Sequence, residues 1–242
     1  MASEITYIVG PKAEHTHTVI FLHDCDSDCE EFASEFFVSE ASEPGTLKDI
    51  SPHIRWVFPS APILMSARFG IHLSQWFDMW SLDNPMERPE LQYHGLHQSI
   101  NRILGVIRKE EELVPRDKIF LAGISQGFAT TIATFLADAS KGFAGLIGLC
   151  GWMPALLNDG REGFKGPENS KVVDSTPIFL GHSADDDIVP IENGRELRDI
   201  LQSRGFEVEW REYNEGGHWV NEPQGVDDMV QFLSKHMAIN ES

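Results

Sequence analysis

Apolar residues follow two rhythms along the chain. Short, nearly continuous runs at Thr18–Leu22, Ile54–Phe58, Lys118–Ala122, Leu146–Cys150 and Pro177–Gly181 read as buried strands. Ile5–Val9 reads as an edge strand, and Glu207–Tyr213 alternates as a further strand. Between them, apolar residues recur at steps of three and four. Phe32, Phe36 and Phe37 do so within Cys29–Val38. Leu96, Ile100, Ile103, Leu104 and Ile107 form a stripe that predicts a long amphipathic helix over roughly residues 92–113, ended before Pro115. Phe128–Ala137, Ile191–Arg204 and Gln224–His236 also read as helices, the last with Met229, Phe232 and Leu233 inward. Strand and helix alternate throughout, which predicts an α/β protein with a mostly parallel central sheet and helices on both faces. No repeat, low-complexity tract or linker interrupts the pattern, so residues 1–242 are expected to form a single domain.

Two stretches lack a clear period. Asn158–Asp174 is irregular. Residues 59–90 carry Pro62, Pro85 and Pro89 among Met65, Phe69, Trp76, Phe77, Met79 and Trp80. A long aromatic-rich connection of this kind predicts a lid or binding loop.

Composition narrows the class. The formal charge is −19, from 38 acidic and 19 basic residues, which argues against nucleic acid and anionic membrane surfaces as partners. No run approaches the roughly 18 apolar residues of a membrane span, and the N-terminus has no signal-peptide pattern, so a cytoplasmic protein is expected. The three cysteines, Cys25, Cys29 and Cys150, do not suggest a disulfide framework. Cys25-x-x-x-Cys29 lacks a second close Cys or His pair, and nothing implies a metal or an organic cofactor.

The chemistry centres on Gly123-Ile124-Ser125-Gln126-Gly127, set between a predicted strand and a predicted helix. There, G-x-S-x-G makes a strained turn that lifts the serine hydroxyl above the sheet, and side chains at Gly123 or Gly127 would crowd it. In an open parallel sheet, sites form at the carboxyl ends of strands. His23-Asp24-Cys25 follows one strand, His182 to Pro190 another, and Asn214 to Trp219 a third. The order Ser, acid, His makes Ser125 the candidate nucleophile, one of Asp185–Asp187 the orienting acid, and His218 the base. His23, His72 and His182 are rivals near strand ends or loops. One oxyanion donor should be the backbone N–H of Gln126, directly after the nucleophile.

These residues jointly resemble the acyl-protein thioesterase and phospholipase/carboxylesterase family of α/β-hydrolases, in a fungal-type form. The resemblance runs from about Thr18 to Leu233 through Val19–His23, Phe58–Pro62, Gln75–Asp78, Gly123–Gly127, Gly151–Pro154, His182–Pro190 and Gly217-His218. It implies an α/β-hydrolase fold, selects Asp186 from the three aspartates, assigns Cys25 as the second oxyanion donor, and puts Trp76 and Trp152 near the site. Where the family reads His-Gly-x-Gly, this chain reads His23-Asp24-Cys25-Asp26. Asp24 and Asp26 are expected to point away from Ser125.

The implied reaction is hydrolysis of carboxylic esters or thioesters, small-molecule or acyl-protein, by a monomer or homodimer. Leu73, Trp76, Trp152 and Met153 are candidate walls of an acyl groove, with Met65, Phe69 and Trp80 as further members. Phe128 either narrows the pocket or packs helix against sheet, and short or medium acyl chains should be preferred. A non-catalytic hydrolase fold binding a small apolar ligand, for instance in a secondary-metabolite pathway, is the competing reading.

Overall fold

A computed structural model describes residues 5–138, 142–158 and 176–239. In chain order the elements are β1 (Thr6–Val9), β2 (His17–Leu22), α1 (Cys29–Val38), α2 (Leu47–Ile50), β3 (Ile54–Pro59), β4 (Ile63–Met65), β5 (His72–Ser74), α3 (Glu90–Glu110), β6 (Ile119–Ile124), α4 (Gln126–Ala137), β7 (Gly145–Leu149), α5 (Ala155–Asn158), β8 (Ile178–Ser183), α6 (Ile191–Ser203), β9 (Val208–Tyr213) and α7 (Gln224–Ile239). The irregular stretch Asn158–Asp174 falls, apart from Asn158, outside the described residues.

Seven strands form one sheet in the order β1-β3-β2-β6-β7-β8-β9. β1 runs antiparallel to β3, and every other neighbouring pair is parallel. The strands with unbroken apolar sequences lie inside: β2, β6, β7 and β8 are buried along their whole length. That is the expected state of parallel strands covered on both faces. Successive residues then serve opposite layers. Ile20, Leu22 and Leu121 join a core with Leu96, Ile103, Ile132 and Leu197, from α3, α4 and α6. Val19, Phe21 and Phe120 join a second core with Phe32, Phe36, Met229 and Phe232, from α1 and α7. The second layer is aromatic: Phe21 meets Phe36 edge-on at 4.6 Å and Phe32 at 5.2 Å between ring centroids.

The 59–90 connection is more ordered than its lack of period suggests. β4 and β5 pair as a small antiparallel hairpin, Ile63 opposite Ser74 and Met65 opposite His72. Three-residue strands are too short to leave a periodic signal. Ile63, Met65, Phe69 and Ile71 are exposed on this hairpin, whereas Trp76 and Phe77, just after it, are fully buried. β6 also runs further than its apolar stretch, through Gly123 and Ile124 to the serine itself.

Candidate active site

Ser125 stands between β6 and α4 with φ 54° and ψ −127°, a region costly for any residue but glycine. Its N–H donates to Leu149 O at 2.9 Å, and its own carbonyl accepts from Phe128 and Ala129 in the first turn of α4. Both flanking glycines are required. A Cβ on Gly123 would come 2.6 Å from the backbone of Gly127 and Phe128, and one on Gly127 would overlap the carbonyl oxygens of Leu22 and His23. α4 is thus seated directly on the end of β2, and the serine is the pivot of that junction.

The three aspartates after β8 have separate partners. Asp185 is exposed and braces the later loop, accepting from Gly217 N at 2.9 Å and Gly216 N at 3.3 Å. Asp187 is exposed. Asp186 is buried; its Oδ1 accepts from Ile188 N at 3.0 Å and Val189 N at 2.8 Å. Its Oδ2 lies 2.8 Å from His218 Nδ1 and 3.1 Å from His182 Nε2. Burial alone would raise this carboxyl's pKa; the hydrogen bonds from His182, His218 and Val189 outweigh it and hold the group well below the usual carboxylate range. Asp186 is therefore ionised, and His218 Nδ1 carries the proton between them.

His218 follows Gly216 (φ 137°) and Gly217 (φ 61°), and a Cβ on Gly216 would sit 2.6 Å from Ser183 Oγ. Trp219 Nε1 donates to Ser39 Oγ at 3.1 Å, tying the loop to the end of α1. Ser125 Oγ makes no hydrogen bond among the described residues, to His218 or to any other group. Such contacts in resting enzymes commonly tighten only when substrate binds.

The rival histidines have other work. His23 is fully buried; its Nδ1–H donates to Asp24 O at 2.7 Å and its Nε2 accepts from Ala61 N at 3.0 Å. Burial lowers its pKa to about 4. It is a neutral strut under the loop after β2. His72 is exposed on β5. His182 stands behind Asp186: its Nε2–H faces both Asp186 Oδ2 and Val189 O at 3.0 Å, and its buried Nδ1 has no hydrogen-bond partner. A proton on that Nδ1 would have no acceptor.

The loop after β2 is pinned at several points. Asp26 N donates to Ser74 O of β5 at 2.7 Å, and Trp76 Nε1 donates to His23 O at 2.8 Å. Gln126, expected to act through its N–H, also has a structural side chain: Oε1 accepts from Trp76 N at 2.7 Å and Nε2 donates to Phe77 O at 2.9 Å. A glutamine opening a helix whose other residues are apolar, glycine or threonine was the signal for this tie. As the first residue of α4, Gln126 presents an N–H with no partner inside the helix. Cys25 is half-buried, and burial, with the charges of Asp26 and Asp24, pushes its thiol up to about 12. Asp26 is exposed at φ 61° and answers to the expected outward orientation. Asp24 is half-buried; burial raises the pKa of its carboxyl, and His218 acts in the opposite sense.

The candidate groove residues divide sharply. Leu73 is half-buried on β5. Met65 and Phe69 are exposed, and Trp80 is half-buried. Trp76, Phe128, Trp152 and Met153 all lie within the core against α3 and α4. Phe128 resolves to packing of helix on sheet: its ring fills the space over β7 that Cβ atoms on Gly148 and Gly151 would take, at 2.5 and 2.6 Å. Cys150, between those glycines, was not singled out for the site. It stands at φ 49°, and its Sγ, a carboxylate oxygen of Asp186 and a ring nitrogen of His218 all lie within 4.8 Å of one another.

Comparison with known proteins agrees with this architecture. Residues 3–237 match the family model described as phospholipase/carboxylesterase. The chain is similar to acyl-protein thioesterase 1 of Yarrowia lipolytica, 28% identical over 95% of this chain and 96% of that one. It is also similar to acyl-protein thioesterase 1 of Neurospora crassa, 30% identical over 92% and 89%. Among solved structures, acyl-protein thioesterase 2 of Zea mays superposes with a TM-score of 0.76 at 23% identity, covering 97% of this chain and 99% of that chain. At that identity the likeness speaks for the fold.

Proposed function

The chain belongs to the phospholipase/carboxylesterase family of α/β-hydrolases, and from that premise we propose that it cleaves carboxylic esters or thioesters through an acyl-enzyme on Ser125. The observation that carries the reading is the 2.8 Å hydrogen bond between His218 Nδ1 and the ionised Asp186. It fixes the tautomer with Nδ1 protonated, which leaves the Nε2 lone pair free to take the serine proton. His218 then returns that proton to the departing alcohol or thiol, and water, activated by the same nitrogen, releases the acid. The carboxylate orients the ring and stabilises the imidazolium without itself taking the proton. The N–H groups of Gln126 and Cys25 are the proposed oxyanion donors, Gln126 supported by its place in the first turn of α4.

The names of the similar fungal proteins suggest S-acyl proteins as one substrate class, with small acyl esters as another. A repurposed, non-catalytic binder draws its support from Asp24, a half-buried carboxyl in the loop that carries Cys25, whose charge would oppose a developing oxyanion. A fluorophosphonate probe separates the two readings. Covalent labelling that disappears in Ser125→Ala supports the hydrolase; no labelling of the folded wild-type protein rejects it.

A further inference from the structure

The proposed base and its orienting acid share their corner of the site with a third donor. Cys150 follows β7, Asp186 follows β8 and His218 follows β9, so three adjacent strand ends deliver a sulfur, an oxygen and a nitrogen to one point. The three donor atoms lie within 4.8 Å of one another. In a tetrahedral zinc site, bonds of about 2.0–2.3 Å set neighbouring ligand atoms roughly 3.3–3.7 Å apart, so shifts of about 1 Å close this set on an ion. We propose that Cys150, Asp186 and His218 form an inhibitory site for a thiophilic divalent cation, Zn2+ being the natural candidate. The proposal rests on the reading of His218 as the base, and it adds a regulator to that same residue.

The chemistry favours such an ion over others. Thiolate with imidazole and one carboxylate suits Zn2+ and disfavours Mg2+ or Ca2+, which take oxygen. One thiolate and one carboxylate neutralise the two charges of the ion, so no net charge is buried. In the resting protein the Cys150 thiol faces Trp219 O at 3.6 Å, and burial, with the charge of Asp186, keeps it protonated. Binding therefore proceeds by exchange. The S–H proton leaves to solvent as the S–Zn bond forms, and the His218 proton moves from Nδ1 to Nε2 as Nδ1 becomes a ligand. Water completes the tetrahedron.

That tautomer shift is the inhibitory event. With Nε2 protonated, His218 cannot accept the proton of Ser125, and the carboxylate is diverted to the metal. A surface cleft beside Gly217 and Trp219, the chain neighbours of His218, is lined by Asp185, Glu215 and Glu222 as well as those two residues. Three carboxylates around it, on a chain of formal charge −19, concentrate cations at its mouth.

The test uses the full-length protein with Zn2+ or Cd2+ alone. Cd2+ titration should produce a thiolate-to-metal charge-transfer band in the short ultraviolet, present in Cys25→Ser and lost in both Cys150→Ser and Cys150→Ala. Zn2+ should inhibit hydrolysis of a p-nitrophenyl ester, and either Cys150 substitution should raise the half-inhibitory concentration at least about tenfold. A band that survives loss of Cys150, or equal Zn2+ sensitivity in wild type and both variants, overturns the proposal. The band reads metal binding whether or not the protein turns over esters, so failure of the hydrolase reading would appear separately, as absence of Ser125 labelling.

Discussion

His182 Nε2 lies 3.1 Å from Asp186 Oδ2, the same oxygen that receives His218 Nδ1. One carboxylate oxygen thus serves two imidazoles, and a Cβ on Gly194 would collide with the buried ring of His182. The second donor shares the oxygen's charge and so tempers its pull on His218. Removing it in His182→Leu should strengthen that pull and move the acid limb of the kcat/KM profile up by about half a pH unit. It should also cost about 1–3 kcal/mol of stability, because Val189 O loses its donor. His182→Gln, which keeps an N–H donor, should restore most of both. An acid limb unmoved in folded His182→Leu would refute the shared-oxygen argument.

Asp24 and Asp26 replace two glycines of the family pattern, but their positions differ. Asp24 is half-buried and its charge acts on His218, so when ionised it favours the protonated ring and disfavours negative charge on the substrate. Asp24→Asn should therefore lower the acid limb by about half a unit and raise kcat/KM, by less than about tenfold. Asp26 is exposed, so Asp26→Asn should change neither. Indistinguishable pH–rate profiles for the two variants would contradict this division.

Much of the sheet was legible because inner parallel strands are apolar on both faces and leave unbroken runs. The Ser125 turn was legible because both glycines face backbone atoms, which no side chain can displace. Asp186 was not separable from Asp185 and Asp187 by residue type; only their directions after β8 tell a buried carboxylate from a loop brace and an exposed one. The seat of Phe128 depends on Gly148 and Gly151, distant in sequence, so helical spacing alone left its role open. β4 and β5 are three residues each, too short for any period to register.

Gly127→Ala tests how closely α4 is seated on β2. The added methyl would meet the carbonyl oxygens of Leu22 and His23, which are backbone and cannot rotate away. Overpacking of this kind costs about 1–3 kcal/mol, more than the gain of about 1 kcal/mol from replacing a helical glycine. The variant should melt at lower temperature. It should also label more slowly with fluorophosphonate, because the same collision moves the loop that carries Cys25. Unchanged stability together with unchanged labelling would mean the junction yields without consequence.

Acyl-chain preference follows from what already fills the interior. Trp76, Phe128 and Trp152 pack against protein atoms with almost no accessible surface to lend to a long chain, leaving Leu73 and Trp80 partly open and Met65 and Phe69 exposed on the hairpin. Across a p-nitrophenyl ester series, kcat/KM should peak at short or medium chains and fall at palmitoyl. A maximum at palmitoyl would require those aromatic side chains to move aside.

His23 sets a pH limit on the fold. Burial lowers its pKa from 6.5 to about 4, so the folded state holds it neutral while the unfolded chain takes up a proton below about 6.5. Its contribution is complete above that value and declines as pH falls from about 6.5 toward 4, by up to about 3 kcal/mol. His17, fully buried on β2 and likewise lowered to about 4 by burial, adds in the same window. Urea unfolding at pH 7.5, 6 and 5 should show this decline, and His23→Gln should flatten part of it. The glutamine variant should start from lower stability, since the strut between Asp24 O and Ala61 N is disturbed. If stability is level from pH 7.5 to 5, or the slope is the same in wild type and His23→Gln, then His23 is not held neutral by the fold.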